Sequence, residues 1–274
     1  MSLRKALKIV SATDVGRLRD HNEDTIGVDA ELGLAVLADG MGGYSAGEVA
    51  SGIAVAMLMT DLKAALAQKD PQRTTRNGHD PAGVTVLREG IARANASILL
   101  AAAGQSQYSG MGTTLVTALF HDDRVVVGHV GDSRLYRLRG DAFEQITRDH
   151  SLLQEQIDRG LLTREQARRS QNKNLVTRAL GIDPGVAAEI HVHGVLAGDI
   201  YLMCSDGLSD MVSDEEMHLA LSSLRDRLQL AADHLVRIAN DQGGRDNISV
   251  ILVRVLQPFP ASAGFFAKIK SWMK

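Results

Sequence analysis

Leu34-Ala35-Val36-Leu37-Ala38-Asp39-Gly40 joins a short run of strand-forming residues to an aspartate and a glycine. An aspartate beside a glycine or an asparagine adjoins three further apolar runs: residues 125–130 with Gly131-Asp132, residues 200–205 with Asp206-Gly207, and residues 248–255 with Asp246-Asn247. Each run has the length and composition of a β-strand. If these strands meet at one rim of one or two sheets, four carboxylates converge there.

Such a convergence predicts a cation site. Carboxylates a few ångströms apart repel one another strongly, so they stay ionised only beside cations. Oxygen ligands select Mg²⁺ or Mn²⁺ over zinc, and a glycine lets the backbone come close to an ion. The alternative for any single Asp-Gly pair is a turn between strands. Four pairs that each border an apolar run favour the site.

Composition limits the class of protein. The 274 residues are 45% hydrophobic, which is enough for one catalytic domain with a large core. The net charge of -3 and the pI near 6.3 give no basic surface, so we expect no nucleic-acid partner. We also expect a monomer.

The single cysteine, Cys204, excludes internal disulfides and fits a reducing compartment. Residues 1–8 lack the apolar core of a secretory signal, and the apolar stretch 52–59 is too short to span a bilayer. These features predict a cytoplasmic location.

The chain alternates blocks of strands and helices. Short turns between the strands predict antiparallel pairing. The predicted strands are residues 8–15, 25–29, 33–38, 113–120, 124–130, 134–138, 142–146, 186–192, 199–204 and 247–255. The predicted helices are residues 47–69, 81–103, 151–159, 163–169 and 225–240, and capping boxes begin at Thr163 and Ser213. The polar run 168–174 is interpreted as a surface loop, with a lid near the site as the functional alternative.

Nine short motifs occur in one order along residues 8–255 and together carry a family resemblance. They are Arg19-x-x-Asn22-Glu23-Asp24, Ala38-Asp39-Gly40-Met41-Gly42-Gly43, Gly47-Glu48-x-Ala50-Ser51, Met111-Gly112-Thr113-Thr114, Val130-Gly131-Asp132-Ser133-Arg134-x-Tyr136, Thr147-x-Asp149-His150-Ser151, Thr177-Arg178-Ala179-Leu180-Gly181, Ser205-Asp206-Gly207 and Gly244-Arg245-Asp246-Asn247. The chain resembles the bacterial metal-dependent protein phosphatases of type 2C.

The resemblance implies an α+β fold, a four-layer α-β-β-α sandwich of two antiparallel sheets flanked by helices, with a binuclear Mn²⁺ or Mg²⁺ centre at one edge. It also implies a role for each motif residue. Asp39 would bridge the two ions, Asp206 and Asp246 would complete the first, and Glu23 with the Gly40 carbonyl would serve the second. Asp132, with Asp206, would hold a third, weaker ion. Asp24 would support the ligands from behind, and Arg19 would grip the substrate phosphate.

The implied reaction is hydrolysis of phosphoserine and phosphothreonine in proteins. A phosphomonoester dianion repels nucleophiles, so the enzyme must supply neutralising charge and a strong nucleophile together. In the implied mechanism, a hydroxide held by the two cations would attack phosphorus in line, while the Arg19 guanidinium would donate two hydrogen bonds to the non-bridging oxygens. Cys204 lacks the glycine-rich cradle and the following arginine of the cysteine-dependent phosphatases.

Two positions depart from family patterns. Met41 stands where animal members carry a histidine that is a candidate general acid, and a thioether cannot donate a proton. His129 and His150 are available, but we interpret both as structural. Residues 170–174 lack the His-Pro of many bacterial relatives, which leaves substrate preference open.

The favoured function is a phosphatase that opposes a bacterial serine/threonine kinase. One alternative is a degenerate relative that only binds phosphoproteins, although the presence of Arg19, Asp39, Asp206 and Asp246 together argues against it. A second alternative is a phosphatase for anti-sigma-antagonist proteins.

Residues 8–257 are predicted to form the catalytic domain and residues 258–274 an amphipathic C-terminal tail. Aromatic and aliphatic residues share one helical face of the tail, with three lysines flanking it: Phe265, Phe266, Ile269, Trp272 and Met273, beside Lys268, Lys270 and Lys274. This face could pack on the catalytic domain. The other hypothesis is contact with a membrane surface or a partner, since lysines beside an aromatic face suit anionic lipid headgroups.

Overall fold

The computed structural model describes residues 3–43, 45–67, 82–121, 123–163, 166–167, 170 and 175–259. The strands are Leu7–Asp14 (β1), Asp24–Asp29 (β2), Leu34–Met41 (β3), Gly112–Thr113 (β4), Leu115–His121 (β5), Arg124–Val130 (β6), Arg134–Arg139 (β7), Ala142–Gln145 (β8), Glu189–Gly194 (β9), Ile200–Cys204 (β10) and Ile248–Val255 (β11). The helices are Ala46–Ala67 (α1), Ala82–Gly104 (α2), Leu152–Asp158 (α3), Asp206–Ser209 (α4), Asp214–Ser223 (α5) and Leu228–Asp241 (α6).

The strands form two sheets with antiparallel pairing throughout. Sheet A has the order β1-β11-β10-β7-β8. Sheet B has the order β2-β3-β5-β6-β9, and the short β4 also pairs with β3. Short turns join the antiparallel pairs β2–β3, β5–β6 and β7–β8, as the sequence predicted, whereas the other pairs join strands that are distant in sequence.

Three apolar cores stack these elements into four layers. One lies between sheet B and the pair α1 and α2, a second lies between sheet A and helices α4 to α6, and the third lies between the sheets. Strand β3 shows why its sequence is a continuous apolar run. Leu34 and Val36 face the helices, whereas Ala35 and Leu37 face the other sheet, so both faces of the strand are buried.

Several element boundaries differ from the sequence prediction. Strand β9 begins at Glu189 because residues before it turn: the Gly185 N–H donates to Asp183 Oδ1, and the Val186 N–H donates to the Asp183 carbonyl. Helix α6 begins at Leu228, after a turn in which the Arg227 N–H donates to the Leu224 carbonyl. The short helix α4 was not predicted.

The capping box at Ser213 is confirmed. The Ser213 hydroxyl accepts from the Glu216 N–H, and the Glu216 carboxylate accepts from the Ser213 N–H. At the other predicted capping box, the Thr163 hydroxyl accepts from the Gln166 N–H, and the Gln166 side-chain oxygen accepts from the Thr163 N–H.

Some predictions fall on residues outside those described. They include most of the run 168–174 and the tail from residue 260 onwards. The chain remains packed as far as Phe259, whose ring contacts Phe120 edge-on with centroids 6.4 Å apart. Among the described helices, none is long and apolar enough to cross a membrane.

Candidate metal centre

The four aspartates of the opening motifs lie at one rim shared by both sheets. In sheet B, β3 and β6 both pair with β5 in antiparallel fashion, so they run in the same direction and carry Asp39 and Asp132 at the same end. In sheet A, β10 and β11 are antiparallel, so the end of one lies beside the start of the other. Asp206 follows β10 and Asp246 precedes β11, which brings them together.

Electrostatic coupling shows that the two pairs also meet across the sheets. Burial raises the pKa of Asp39 well above its usual range, and the charges of Asp24, Asp206, Asp132 and Asp246 raise it further. The pKa of Asp206 is raised in the same way, by burial first and then by neighbouring carboxylates. We call these residues, together with Glu23, the carboxylate cluster: Glu23, Asp24, Asp39, Asp132, Asp206 and Asp246.

Asp24 lies behind Asp39 on the neighbouring strand. The two residues are partners in the register of β2 and β3, and the Ser205 hydroxyl donates to Asp24 Oδ2 at 2.7 Å. Burial raises the pKa of Asp24 to about 7. Its other oxygen, Oδ1, is buried without a hydrogen-bond partner.

Glu23 precedes Asp24 and presents a second unsatisfied oxygen. Its carboxylate accepts from the Gly47 N–H at the start of α1, while Oε1 is buried without a partner. Burial is the main reason that its pKa is raised. Buried carboxylate oxygens without donors are costly, and an oxygen-binding cation would satisfy them. The residues present therefore fit a site for Mg²⁺ or Mn²⁺.

Two glycines allow the end of β3 and the start of α1 to pack closely against each other. A Cβ on Gly40 would lie 2.1 Å from the Gly47 carbonyl oxygen, and a Cβ on Gly47 would lie 2.7 Å from the Glu23 carboxylate. No residue with a side chain fits at either position without moving backbone. The Gly40 N–H donates to the Glu23 carbonyl, so the backbone of Gly40 lies beside Glu23.

Arg19 reaches the rim from the loop between β1 and β2. Its Nη2 donates to Asp246 Oδ2 at 2.6 Å, and about half of its side chain is exposed, at 49%. The predicted phosphate-binding residue therefore lies beside a predicted metal ligand.

Asn247 holds the loop between β1 and β2 in place through hydrogen bonds, a role that the sequence did not reveal. Its Nδ2 donates to the carbonyls of Val15 and His21 at 2.9 and 2.8 Å, and its Oδ1 accepts from the Glu23 N–H at 2.8 Å. One amide thus holds both ends of the segment that carries Arg19. The only sequence signal was the position of Asn247 next to Asp246.

Two threonines hold Asp39 from the β4–β5 junction. The Thr113 hydroxyl and the Thr114 N–H both donate to the Asp39 carbonyl at 2.8 Å, and the Thr114 hydroxyl accepts from the Asp39 N–H at 3.2 Å. Thr114 Oγ1 also lies 2.7 Å from the Ser133 hydroxyl, next to Asp132. The Met-Gly-Thr-Thr motif therefore links the positions of two cluster carboxylates.

Asp132 borders a cleft of about 450 Å³ that extends towards α3 and is also lined by Asp206 and Asp210. Burial raises the pKa of Asp132 to about 6, and the charge of Asp149 contributes next. Asp210 adds a carboxylate that the sequence analysis missed. The charge of Asp210 contributes to the raised pKa of both Asp132 and Asp206. Asp210 follows Asp206 by four residues, a spacing that places two side chains on the same side of a helix, and this spacing could have identified it from the sequence.

His129 and His150 stack on each other with ring centroids 4.7 Å apart. His150 bonds the Gly131 backbone, and His129 bonds the Arg148 carbonyl. Each ring is thus hydrogen-bonded to backbone, and neither hydrogen bond involves a member of the carboxylate cluster. Met41 pairs with Gly112 at the end of β3.

The raised pKa values predict how the metal-free protein responds to pH. Because the pKa of Asp24 rises from 3.8 to about 7 on folding, the folded state holds this proton more tightly than the unfolded chain. The resulting stabilisation is fully present below about pH 4 and is lost as pH rises to about 7. The loss is on the order of a few kcal/mol. Denaturant unfolding of EDTA-treated protein at pH 5 and pH 8 measures it.

The control is Asp24→Asn, which keeps the shape and removes the proton. The variant should show a smaller loss of unfolding free energy between the two pH values than the natural chain. Equal losses in both proteins would contradict the assignment of this carboxyl. Adding Mn²⁺ at pH 8 should restore stability to the natural chain.

Comparison with known proteins agrees with this geometry. A sequence model of the family described as Protein phosphatase 2C matches residues 17–236. The serine/threonine phosphatase stp of Listeria innocua is 40% identical over 244 residues, which are 88% of this chain and 93% of that protein. Protein phosphatase PhpP of Streptococcus pneumoniae is 36% identical over 258 residues, covering 90% of this chain and 97% of that protein.

Solved structures give the same result. The crystal structure of the Mycobacterium tuberculosis serine/threonine phosphatase PstP/Ppp superposes with a TM-score of 0.81 at 35% identity, covering 92% of this chain and 100% of that chain. The catalytic domain of PstP in complex with two manganese ions gives a TM-score of 0.79 at 35% identity, with 92% and 99% covered. The predicted family and the four-layer fold are confirmed. The chain belongs to the protein phosphatase 2C family and is a protein serine/threonine phosphatase.

Proposed function

We propose that this phosphatase hydrolyses phosphoserine and phosphothreonine at the carboxylate cluster with two divalent cations, Mn²⁺ or Mg²⁺. The observation that carries the proposal is the convergence of carboxylates at this rim. Glu23 and Asp24 each have one buried oxygen without a hydrogen-bond partner, and burial together with the charges of neighbouring carboxylates raises the pKa of Asp39 and Asp206. The two manganese ions in PstP support it by similarity.

Each member of the site has a proposed role. Asp39 would contact both ions, Asp206 and Asp246 would bind the first, and Glu23 with the Gly40 carbonyl would bind the second. Asp132 and Asp206 would hold a third, weaker ion, for which the acidic lining of the cleft offers room. When bound, such cations supply positive charge for the phosphate and a hydroxide nucleophile from water.

Arg19 is the proposed phosphate-binding residue. Its guanidinium is anchored by one ion pair to Asp246 and is half exposed, so a phosphate dianion can reach the remaining N–H groups. Because the exposed arginine already lies at the rim, binding needs no rearrangement of the sheets. Asn247 keeps the supporting loop in place.

The enzyme is proposed to oppose a bacterial serine/threonine kinase in the cytoplasm, a compartment that suits its buried free thiol, Cys204. Residues 8–257 are the proposed catalytic domain. Residues 258–274 are proposed as a tail for contact with a membrane surface or a partner; within it, only Pro258 and Phe259 are described.

Removing metal should abolish activity. Hydrolysis of para-nitrophenyl phosphate should fall to background after EDTA and return with Mn²⁺ or Mg²⁺, because the ligand oxygens cannot neutralise a phosphate dianion by themselves. Steady-state rates before and after metal addition measure the effect. Full activity in exhaustively chelated enzyme would contradict the metal-dependent mechanism, whereas no activity at any metal concentration would favour the phosphoprotein-binding alternative.

Substitutions should separate ligand roles from substrate binding. Asp39→Ala or Asp206→Ala should lower kcat by at least about 1000-fold, because metal charge contributes several kcal/mol to catalysis. Arg19→Ala should mainly raise KM, by about 10- to 100-fold, since a charge-assisted hydrogen bond contributes about 1.5–3 kcal/mol. Asp132→Ala should be milder. Near-normal kcat in Asp39→Ala would refute its bridging role.

Asn247→Ala should lower kcat/KM by about 10- to 100-fold, as expected for residues that position ligands. It removes the hydrogen bonds that hold the loop carrying Arg19 and Glu23. Asn95→Ala is the matched control, because Asn95 is also a buried amide that joins two segments, through Gly181 and Asp183. Both variants should lose stability, but only Asn247→Ala should also need more Mn²⁺ for half-maximal activity. Identical metal requirements would show that Asn247 acts on stability alone.

A further inference from the structure

A group of ionisable side chains lies at the open edge between the two sheets, outside the carboxylate cluster. Glu189, His191 and His193 alternate along β9, which is the edge strand of sheet B, and therefore share one face. His129 pairs with Glu189 in the register of β6 and β9, and His191 pairs with Val127. Val127 belongs to the core between the sheets, so all these side chains point towards that space.

Three of them have the spacing of metal ligands. One ring nitrogen each from His129 and His191 and one carboxylate oxygen of Glu189 all lie within 4.8 Å of one another. Glu189 Oε1 is 3.0 Å from His191 Nε2. A tetrahedral ion with bonds of about 2.0–2.1 Å holds its ligand atoms about 3.3 Å apart. The separation of Glu189 Oε1 and His191 Nε2 is close to that value.

His129 carries an unexplained polar atom in this group. The side chain is fully buried, its Nε2 bonds the Arg148 carbonyl at 2.8 Å, and its Nδ1 has no hydrogen-bond partner. Donation of one ring N–H to a backbone carbonyl is the contact that commonly orients a metal-binding imidazole. Burial lowers the pKa of His129, so the ring is neutral at neutral pH and retains a lone pair.

His150 orients the carboxylate ligand. Its Nδ1 accepts from the Gly131 N–H at 3.1 Å, so the proton of the neutral ring lies on Nε2, which donates to Glu189 Oε2 at 3.1 Å. Burial acts to raise the pKa of Glu189, but the hydrogen bond from His150 and the nearby histidines lower it overall. The carboxylate is therefore ionised and held in position.

We propose that His129, Glu189 and His191 form a second cation site, which binds Zn²⁺ or a chemically similar transition-metal ion. Two imidazoles and one carboxylate are a donor set found at zinc centres that keep a fourth position for water. This set differs from the all-oxygen carboxylate cluster, because imidazole favours zinc, copper and nickel over magnesium. The side chains of Glu189 and His191 are 38% and 39% exposed, which provides an entry path.

The site is connected to the catalytic rim by a short path. Glu189 bonds His150, and His150 bonds the backbone of Gly131 through both its ring and its N–H. Gly131 directly precedes Asp132. An ion bound at Glu189 would therefore restrain the backbone that carries one member of the carboxylate cluster.

Equilibrium dialysis of the full chain against Zn²⁺, with Mg²⁺ in large excess to occupy the carboxylate cluster, tests the proposal. The natural chain should retain about one zinc per molecule. His191→Ala and Glu189→Gln, at two partly exposed positions, should each weaken zinc binding by at least about tenfold. His193→Ala is the matched control, since this histidine shares the strand face but lies outside the ligand group, and it should retain the zinc.

A second measurement separates the two sites. Co²⁺ in place of zinc should give the strong visible absorption of a four-coordinate ion, and His191→Ala should lose this absorption while Asp39→Ala keeps it. Three results would overturn the proposal: no retained zinc under excess Mg²⁺, unchanged binding in both His191→Ala and Glu189→Gln, or loss of the absorption in Asp39→Ala. The last result would place the ion in the carboxylate cluster.

Discussion

Mutual repulsion among buried carboxylates is the constraint on which the catalytic rim depends. Two sheets deliver Asp39, Asp132, Asp206 and Asp246 to one place, where burial and neighbouring charge oppose ionisation. A fold keeps such a cluster only if the backbone around it cannot relax outwards. Hydrogen bonds from uncharged residues hold this backbone in place. Asn247 is an example, because its side-chain amide binds the carbonyls of Val15 and His21 and so holds the loop between β1 and β2 against the start of β11.

Close contacts between backbone segments also keep the carboxylate cluster from relaxing outwards. Gly40 and Gly47 touch, so α1 presses its first turn against the end of β3 and holds Glu23 between them. Gly207 makes a comparable contact with the Asn247 carbonyl, 2.1 Å from where its Cβ would lie. A side chain at any of these positions would separate elements that carry or adjoin the carboxylate cluster. The glycines of the motifs are therefore explained by sterics at the rim as well as by turns.

The two proposed cation sites use different chemistry at neighbouring places in one fold. The carboxylate cluster offers oxygen atoms, which suit ions that exchange water and substrate. The group on β6 and β9 offers imidazoles at the edge of a sheet, where alternate residues of one strand share a face. His150 lies between the sites and contacts both the Glu189 carboxylate and the Gly131 backbone. Strand β6 thus contributes His129 to one site and leads directly to Asp132 in the other.

The sequence by itself determined which strands border a carboxylate, because an apolar run next to an aspartate with a neighbouring glycine or asparagine is a local signal. Motif order identified the family and, through it, the layers. Tertiary structure alone decided the partners: Arg19 meets Asp246 across 227 positions of sequence, Asn247 fastens the loop near Glu23, and Glu189 meets His129 only because β9 pairs with β6. Strand order and register set these contacts, and neither is encoded in the spacing of residues along the chain.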